Sequence, residues 1–274
     1  GEDRSFILLD MSVKDPYPVV FHEYAHQLLN AMVGHQMELW YEEGFAEFFS
    51  GTVVGDKESI VGKIPDYTYI LLRKNGLESV SHLFRTQQNS STYNESGDHR
   101  TVFYLESWMV VHYIYENHLV PRLNAYFGAV ARKASVEDAL REAFGMSVEE
   151  FDRTIHDYVW SGRSKAFVVP SPAGIVSSSF GVAPMSGPDV ATLTAEIHQQ
   201  SPDYQEKAAS EFQEILRANP NSVAANRGLG YARLHQKRFD EAKVYFRAAA
   251  QLDSKDPRIH FYSALLLSHD GAFD

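Results

Sequence analysis

Over most of the chain, apolar residues recur at helical rather than strand spacing. Val19-Val20-Phe21 and Leu28-Leu29 flank a polar stretch from His22 to Gln27, which predicts a buried helix. Pro16 and Pro18 set up its first turn, and Gly34 closes it. A second apolar helix is expected from Leu39 to Ser50, with Gly51 and Gly55 marking its end. Asp66 to Lys74 reads as a helix stopped by Asn75-Gly76, and residues 86–98 as a polar loop. Arg100 to Asn117 is strongly apolar and reads as a long helix. Helices follow at 120–133, 135–144 and 147–160, the last two opened by the capping-box spacings Ser135/Asp138 and Ser147/Glu150. Phe6-Ile7-Leu8-Leu9 is a short β-favouring run and predicts a strand near the first helix.

Residues 161–188 change character. Ser171-Pro172, Gly174, Ser177-Ser178-Ser179, Gly181, Pro184, Gly187 and Pro188 read as a linker, with room for short strands at 166–169 and 180–183. Beyond it the chain repeats with period 34: Ala208 and Ala242 are so related, as are Phe212 and Phe246. Leu229-Gly230, Ala242, Phe246 and Ala249 follow the tetratricopeptide pattern of small and large residues that lets paired helices interlock. Pro220 ends one unit in the expected place, and Ser254 stands where the next proline would be. A third unit starts near Pro257 and stops before its second helix, so the chain reads as part of something longer. Stacked repeats of this kind present a surface to a protein or peptide partner. The expected organisation is a domain over 1–160, a linker over 161–188 and repeats over 189–274.

The polar residues inside the first two helices carry the candidate chemistry. His22 and His26, in His22-Glu23-Tyr24-Ala25-His26, are four apart and leave one face of a helix. That is the geometry two neighbouring ligands of a tetrahedral Zn²⁺ need. Glu23 is the next residue round the helix and is placed to act as general base without being a ligand. A bare H-E-x-x-H arises by chance in roughly one chain of this length in a hundred, so a third ligand is needed to give it weight. Trp40-Tyr41-Glu42-Glu43-Gly44-Phe45-Ala46-Glu47 supplies one. Glu43, rather than Glu42, opens an E-G-x-A-E run in which Glu43 and Glu47 are again i, i+4 neighbours. One can bind metal while the other accepts the free ring N–H of a ligand histidine. Glu42 points about a quarter-turn away and is expected to be solvated.

These runs resemble the gluzincins, metallopeptidases with H-E-x-x-H and a downstream glutamate ligand. Trp40 to Ala46 is similar to the W-x-x-E-G-x-A segment of the aminopeptidase-like branch. Phe103-Tyr104-Leu105-Glu106-Ser107-Trp108-Met109-Val110-Val111-His112-Tyr113 resembles the Y-x-x-S-W-x-x-V-H-Y-L helix of bacterial gluzincin-like proteins that often carry tetratricopeptide repeats. The resemblance covers most of residues 1–160. It implies one zinc ion per chain held by His22, His26 and Glu43, with Glu23 as base and Tyr104 as donor to the oxyanion. The G-x-M-E-N type segment that grips a substrate's amino terminus in aminopeptidases is missing, so exopeptidase specificity does not carry over. His112, eight residues after Tyr104 on roughly the same face, is expected beside Glu47 in the supporting shell. The implied fold is mainly α: a zincin-like domain with a small β-sheet at its N-terminus, then a helical repeat module.

Composition narrows the picture in three ways. Cysteine is absent, so disulfides and thiolate ligands are excluded and a metal must be held by His and carboxylate. The formal net charge of −11 argues against nucleic acid as a partner through bulk electrostatics. No apolar run is long enough to span a bilayer. The compartment stays open between cytoplasm and bacterial envelope. The expected partners are a peptide or protein substrate and a protein bound by the repeats. The alternative function is a weakly active metal-binding scaffold whose main role is interaction through those repeats.

Overall fold

The computed structural model describes residues 6–33, 37–63, 68–90, 98–162, 164–172, 181, 183–252 and 255–269. It is mainly helical and divides into two compact units. One spans Ile7–Ser179; the other spans Phe180–Asp274 together with Gly1–Phe6. No helix among the described residues is long and apolar enough to cross a membrane.

The first unit is built round one central helix. Its elements are α1 (Tyr17–Val33), α2 (Leu39–Ser50), β1 (Glu58–Val61), α3 (Thr68–Asn75), α4 (Val80–Leu83), α5 (Asp98–Glu116), α6 (Leu123–Ala131), α7 (Val136–Phe144), α8 (Val148–Ser161) and β2 (Phe167–Pro170). α5 is apolar all round, as a helix enclosed by others must be. Val102, Phe103, Leu105, Trp108, Met109, Val110, Val111 and Ile114 are all buried. It packs on α2, α3, α4 and α8. α2 comes especially close at Gly44, where an added Cβ would lie 2.4 Å from the Ser107 carbonyl oxygen and 2.8 Å from a Val111 methyl. Only glycine lets the two backbones approach so closely. Ser135 and Ser147 cap α7 and α8 as their spacing predicts, and Ser147 with Glu150 completes a reciprocal capping box.

Three expectations change. Phe6–Leu9 forms no strand in the described residues, and the sheet is not N-terminal. The two-stranded antiparallel sheet pairs β1 with β2, in register Glu58 with Pro170 and Val61 with Phe167. A run of four apolar residues needs a neighbour to become a strand, and here β1 and β2 take each other. Second, the stretch from 161 holds the strand expected at 166–169, which is β2, but it contributes to the first unit as far as Ser171 rather than serving only as a linker. Besides β2, the Tyr69 hydroxyl meets Ser164 Oγ at 2.5 Å, and Ser171 Oγ donates to the Gly55 carbonyl at 2.6 Å. Residues 180 and 182 lie outside the described set, so the strand expected over 180–183 does too. Third, α1 is not a buried helix. It packs on α2 through one side, burying Ala25 and Leu29, while Val19 and Leu28 are exposed.

The second unit is a stack of helices: α9 (Gly187–Gln200), α10 (Gln205–Ala218), α11 (Val223–His235), α12 (Phe239–Leu252) and α13 (Pro257–His269). Ala208, Phe212, Leu229, Ala242, Phe246 and Ala249 are completely buried. α11 is clasped from two sides. A Cβ on Gly228 would strike the Phe212 ring of α10 at 2.4 Å, and one on Gly230 the Phe246 ring of α12 at 2.9 Å. The two glycines are two residues apart, so they open opposite faces of α11 to the two phenylalanines.

Two predictions follow from the packing of α5. Gly44→Ala forces α2 and α5 apart and is expected to cost about 2–4 kcal/mol in urea unfolding, whereas a loss under about 0.5 kcal/mol would show that the contact yields freely. Glu106 of α5 is buried, and burial raises its pKa from 4.5 to about 8. Between those values the unfolded chain gives up this proton and the folded one keeps it, so its contribution to stability falls as pH rises from about 4.5 to about 8. Glu106→Gln removes that loss. Wild type should weaken relative to the variant across this window, and parallel stability curves would refute the assignment.

Candidate metal centre

α1 and α2 lie side by side and bring the histidines of one against the glutamates of the other. His22 and His26 are one helical turn apart, and Glu43 faces both. The Glu43 carboxylate oxygen Oε2 is 3.4 Å from His22 Nε2 and 3.4 Å from His26 Nε2, and the two Nε2 atoms are 3.2 Å apart. A tetrahedral ion with bonds of about 2.0–2.1 Å has ligand–ligand edges of about 3.3–3.4 Å. The three atoms therefore outline one face of such a tetrahedron. Among the described residues, this is the one group of three His, Asp or Glu side chains close enough to share an ion.

The surrounding contacts set the chemistry of each donor. His22 Nδ1 is 3.3 Å from Glu47 Oε1, so the carboxylate accepts the Nδ1–H, and in the neutral imidazole the Nε2 lone pair is left for an ion. Glu47 is itself steadied by the Ser50 hydroxyl, which donates to Oε2 at 3.2 Å. Burial works against a charge on His22, but the Glu43 and Glu47 carboxylates overcome it and raise its pKa. Glu43 is 5% exposed, and burial works against its charge too. Hydrogen bonding and charge from His22 and His26 outweigh that and hold its carboxyl below the ordinary range. A pocket that favours an imidazolium between two carboxylates favours a metal cation for the same electrostatic reason. The donor set, two imidazole nitrogens and a carboxylate oxygen, suits zinc.

Glu23 is exposed on α1, one residue on from His22 and outside the triangle. Tyr104, half-buried on α5, places its ring 6.1 Å from the His22 ring. Glu42 is half-buried rather than solvated, and its Oε1 accepts the Met37 N–H at 2.9 Å. That bond satisfies a donor just ahead of α2 and turns Glu42 away from the histidines. His112 is elsewhere. It is completely buried between Trp108, Phe48 and Phe167, and its Nδ1 meets the Tyr158 hydroxyl at 2.6 Å. Tyr158 in turn donates to Glu116. Burial lowers the His112 pKa. Eight residues on a helix advance about 12 Å, which carries His112 beyond reach of the centre. His35 and the side chain of His99 lie outside the described residues.

Residues 203–266 match the tetratricopeptide repeat family model. No curated protein and no solved structure matches the chain. Over residues 203–266 the 34-residue pattern and the family model thus agree on tetratricopeptide repeats.

Proposed function

We propose that the first unit is a zinc-dependent hydrolase of peptide bonds, of the gluzincin kind, joined to a repeat module that binds a protein. The observation that carries this reading is the triangle of His22, His26 and Glu43, with edges of 3.2–3.4 Å. Those three residues would hold the ion, and when bound it supplies the Lewis acidity that activates water and polarises a carbonyl. Glu47 keeps the His22 proton on Nδ1, so that Nε2 stays available as a donor of its lone pair. Glu23, outside the ligand set and open to solvent, takes the proton of the attacking water on its carboxylate and returns it to the leaving amine. Tyr104, on the same side of the unit as His22, offers a neutral O–H to the carbonyl oxygen as it gains negative charge.

A second reading has its own support. Tetratricopeptide repeats are interaction modules, and their presence fits a scaffold in which binding, rather than turnover, is the main role. Activity on peptides separates the two.

The metal is tested on untagged protein by elemental analysis. About one zinc per chain is expected, lost in His22→Ala, and Glu47→Gln should weaken zinc binding about 10–100-fold. Protein that takes up no zinc on incubation would end the metallopeptidase reading. For the chemistry, a peptide library is the substrate. Glu23→Gln should keep its zinc and lose about 10²–10⁴-fold in kcat. Tyr104→Phe should lose about 10²–10³-fold in kcat with little change in KM. A Glu23→Gln enzyme as fast as wild type would sink the mechanism, and an inert wild type that holds zinc would favour the scaffold.

A further inference from the structure

Tyr104 and Glu106 are two residues apart, so they leave nearly opposite sides of α5. Tyr104 faces His22. Glu106 faces a separate, solvent-open cavity of about 390 Å³ lined by residues 77–79 and by α4, α5 and α8. This volume lies within the range of about 300–1,000 Å³ that small-ligand pockets occupy. Its apolar walls are Leu77, Leu83, Val110 and Ile155, all from the first unit.

We propose that this cavity is a second ligand site, for a small organic cation: a primary amine or guanidinium on a short apolar body. Glu106 is the recognising group. It is 4% exposed, and its Oε1 accepts the Glu78 backbone N–H at 2.8 Å. Among the described residues it has no ion-pair partner, which is rare for a carboxyl so deeply enclosed. The other charged groups facing the cavity are Glu78, Asp152, Arg153 and His156. Asp152 is committed to the start of α4, where it takes the Val80 N–H at 2.6 Å and the Ser79 hydroxyl at 3.2 Å. Glu78 pairs with His82. With the carboxyls of Glu78 and Asp152 beside it, a Glu106 that has given up its proton favours a positive guest, and the aliphatic walls favour one with a hydrocarbon tail.

The proton inventory agrees with this. Burial, reinforced by the charges of Glu78 and Asp152, raises the Glu106 pKa to about 8. At neutral pH the cavity therefore holds a carboxylic acid. A cation entering it favours the carboxylate, and Glu106 gives its proton to solvent. Binding is then tighter at higher pH.

The test uses the full chain and three probes: n-pentylamine, 1-pentanol as its neutral counterpart, and Mg²⁺ alone. Thermal unfolding and amide chemical shifts are the readouts. Pentylamine should raise the Tm and move resonances of α4, α5 and α8, with affinity rising about tenfold or more from pH 6.5 to 8.5. Pentanol should bind at least about tenfold more weakly, as should pentylamine to Glu106→Gln, whose side-chain oxygen can still accept the Glu78 N–H. Equal binding of pentanol would mean a merely apolar hole and overturn the proposal. So would a Glu106-dependent response to Mg²⁺ alone, or no response to millimolar amine. If Glu106→Gln does not fold, the wild-type pH dependence decides, and a flat affinity overturns the assignment.

Discussion

The crossing of α2 and α5 at Gly44 is the constraint on which the candidate centre depends. The backbone of Ser107 occupies the space where any other residue at 44 would carry its Cβ. Glu43 is the residue before this contact, and Tyr104 lies one turn before Ser107. Fixing one crossing point therefore fixes the carboxylate and the phenol together. A crossing loosened by an ångström would move Glu43 relative to His22 and His26, whose edges to it leave little slack. The geometry of such a candidate centre depends on helix packing as well as on the site residues themselves. The E-G pairing is then physically intelligible: the glutamate needs a rigid helix behind it, and the glycine is where that helix is braced.

Three glutamates within six positions of α2 do three different things, and helix geometry assigns them. Glu43 and Glu47, four apart, share the face turned to α1 and divide between two imidazole nitrogens and the Nδ1 proton of His22. Glu42, rotated by about 100°, meets the Met37 N–H instead. Residue type alone would not separate them.

What could be read in the sequence was what depends on neighbours along the chain. The i, i+4 spacing of His22 and His26, the same spacing of Glu43 and Glu47, and the serine caps are local, and the structure places all of them as spacing dictates. The 34-residue period is legible because equivalent positions, Ala208 and Ala242 and Phe212 and Phe246, are buried alike. Long-range facts were harder. Nothing near Glu58–Val61 announces that its partner is Phe167–Pro170, more than a hundred residues on. The apolar character of Val19 and Leu28 pointed to burial, but burial needs an element on that side, and α1 packs through its other face. His112 shares a helical face with Tyr104 in projection, yet two further turns of rise take it to Tyr158 and Phe167. Projection onto a helical wheel preserves angle and discards height. Glu106 was read only as a letter in a motif, because its burial and its lack of a counter-ion are tertiary properties.

The repeat unit shows how a buried charge can govern stacking. Arg227 of α11 bonds Glu196 of α9 at 2.5 Å through one guanidinium nitrogen and Asp256, just ahead of α13, at 2.6 Å through another. Arg258 bonds the same aspartate. Hydrogen bonds from Arg258 outweigh burial and, with Arg227, hold the Asp256 carboxyl far below its ordinary range. A buried ion pair adds little net stability, because desolvation offsets most of its attraction. Its effect is on alternatives. An apolar stack of alanines and phenylalanines could slide by a turn and still bury similar area, but sliding would strand Arg227 without Glu196 or Asp256. The phenylalanine-on-glycine contacts of α11 hold the helices close, and the arginine selects one register among those that closeness permits. A surface meant to recognise a protein needs that single register, since the spacing of its exposed side chains is what a partner reads.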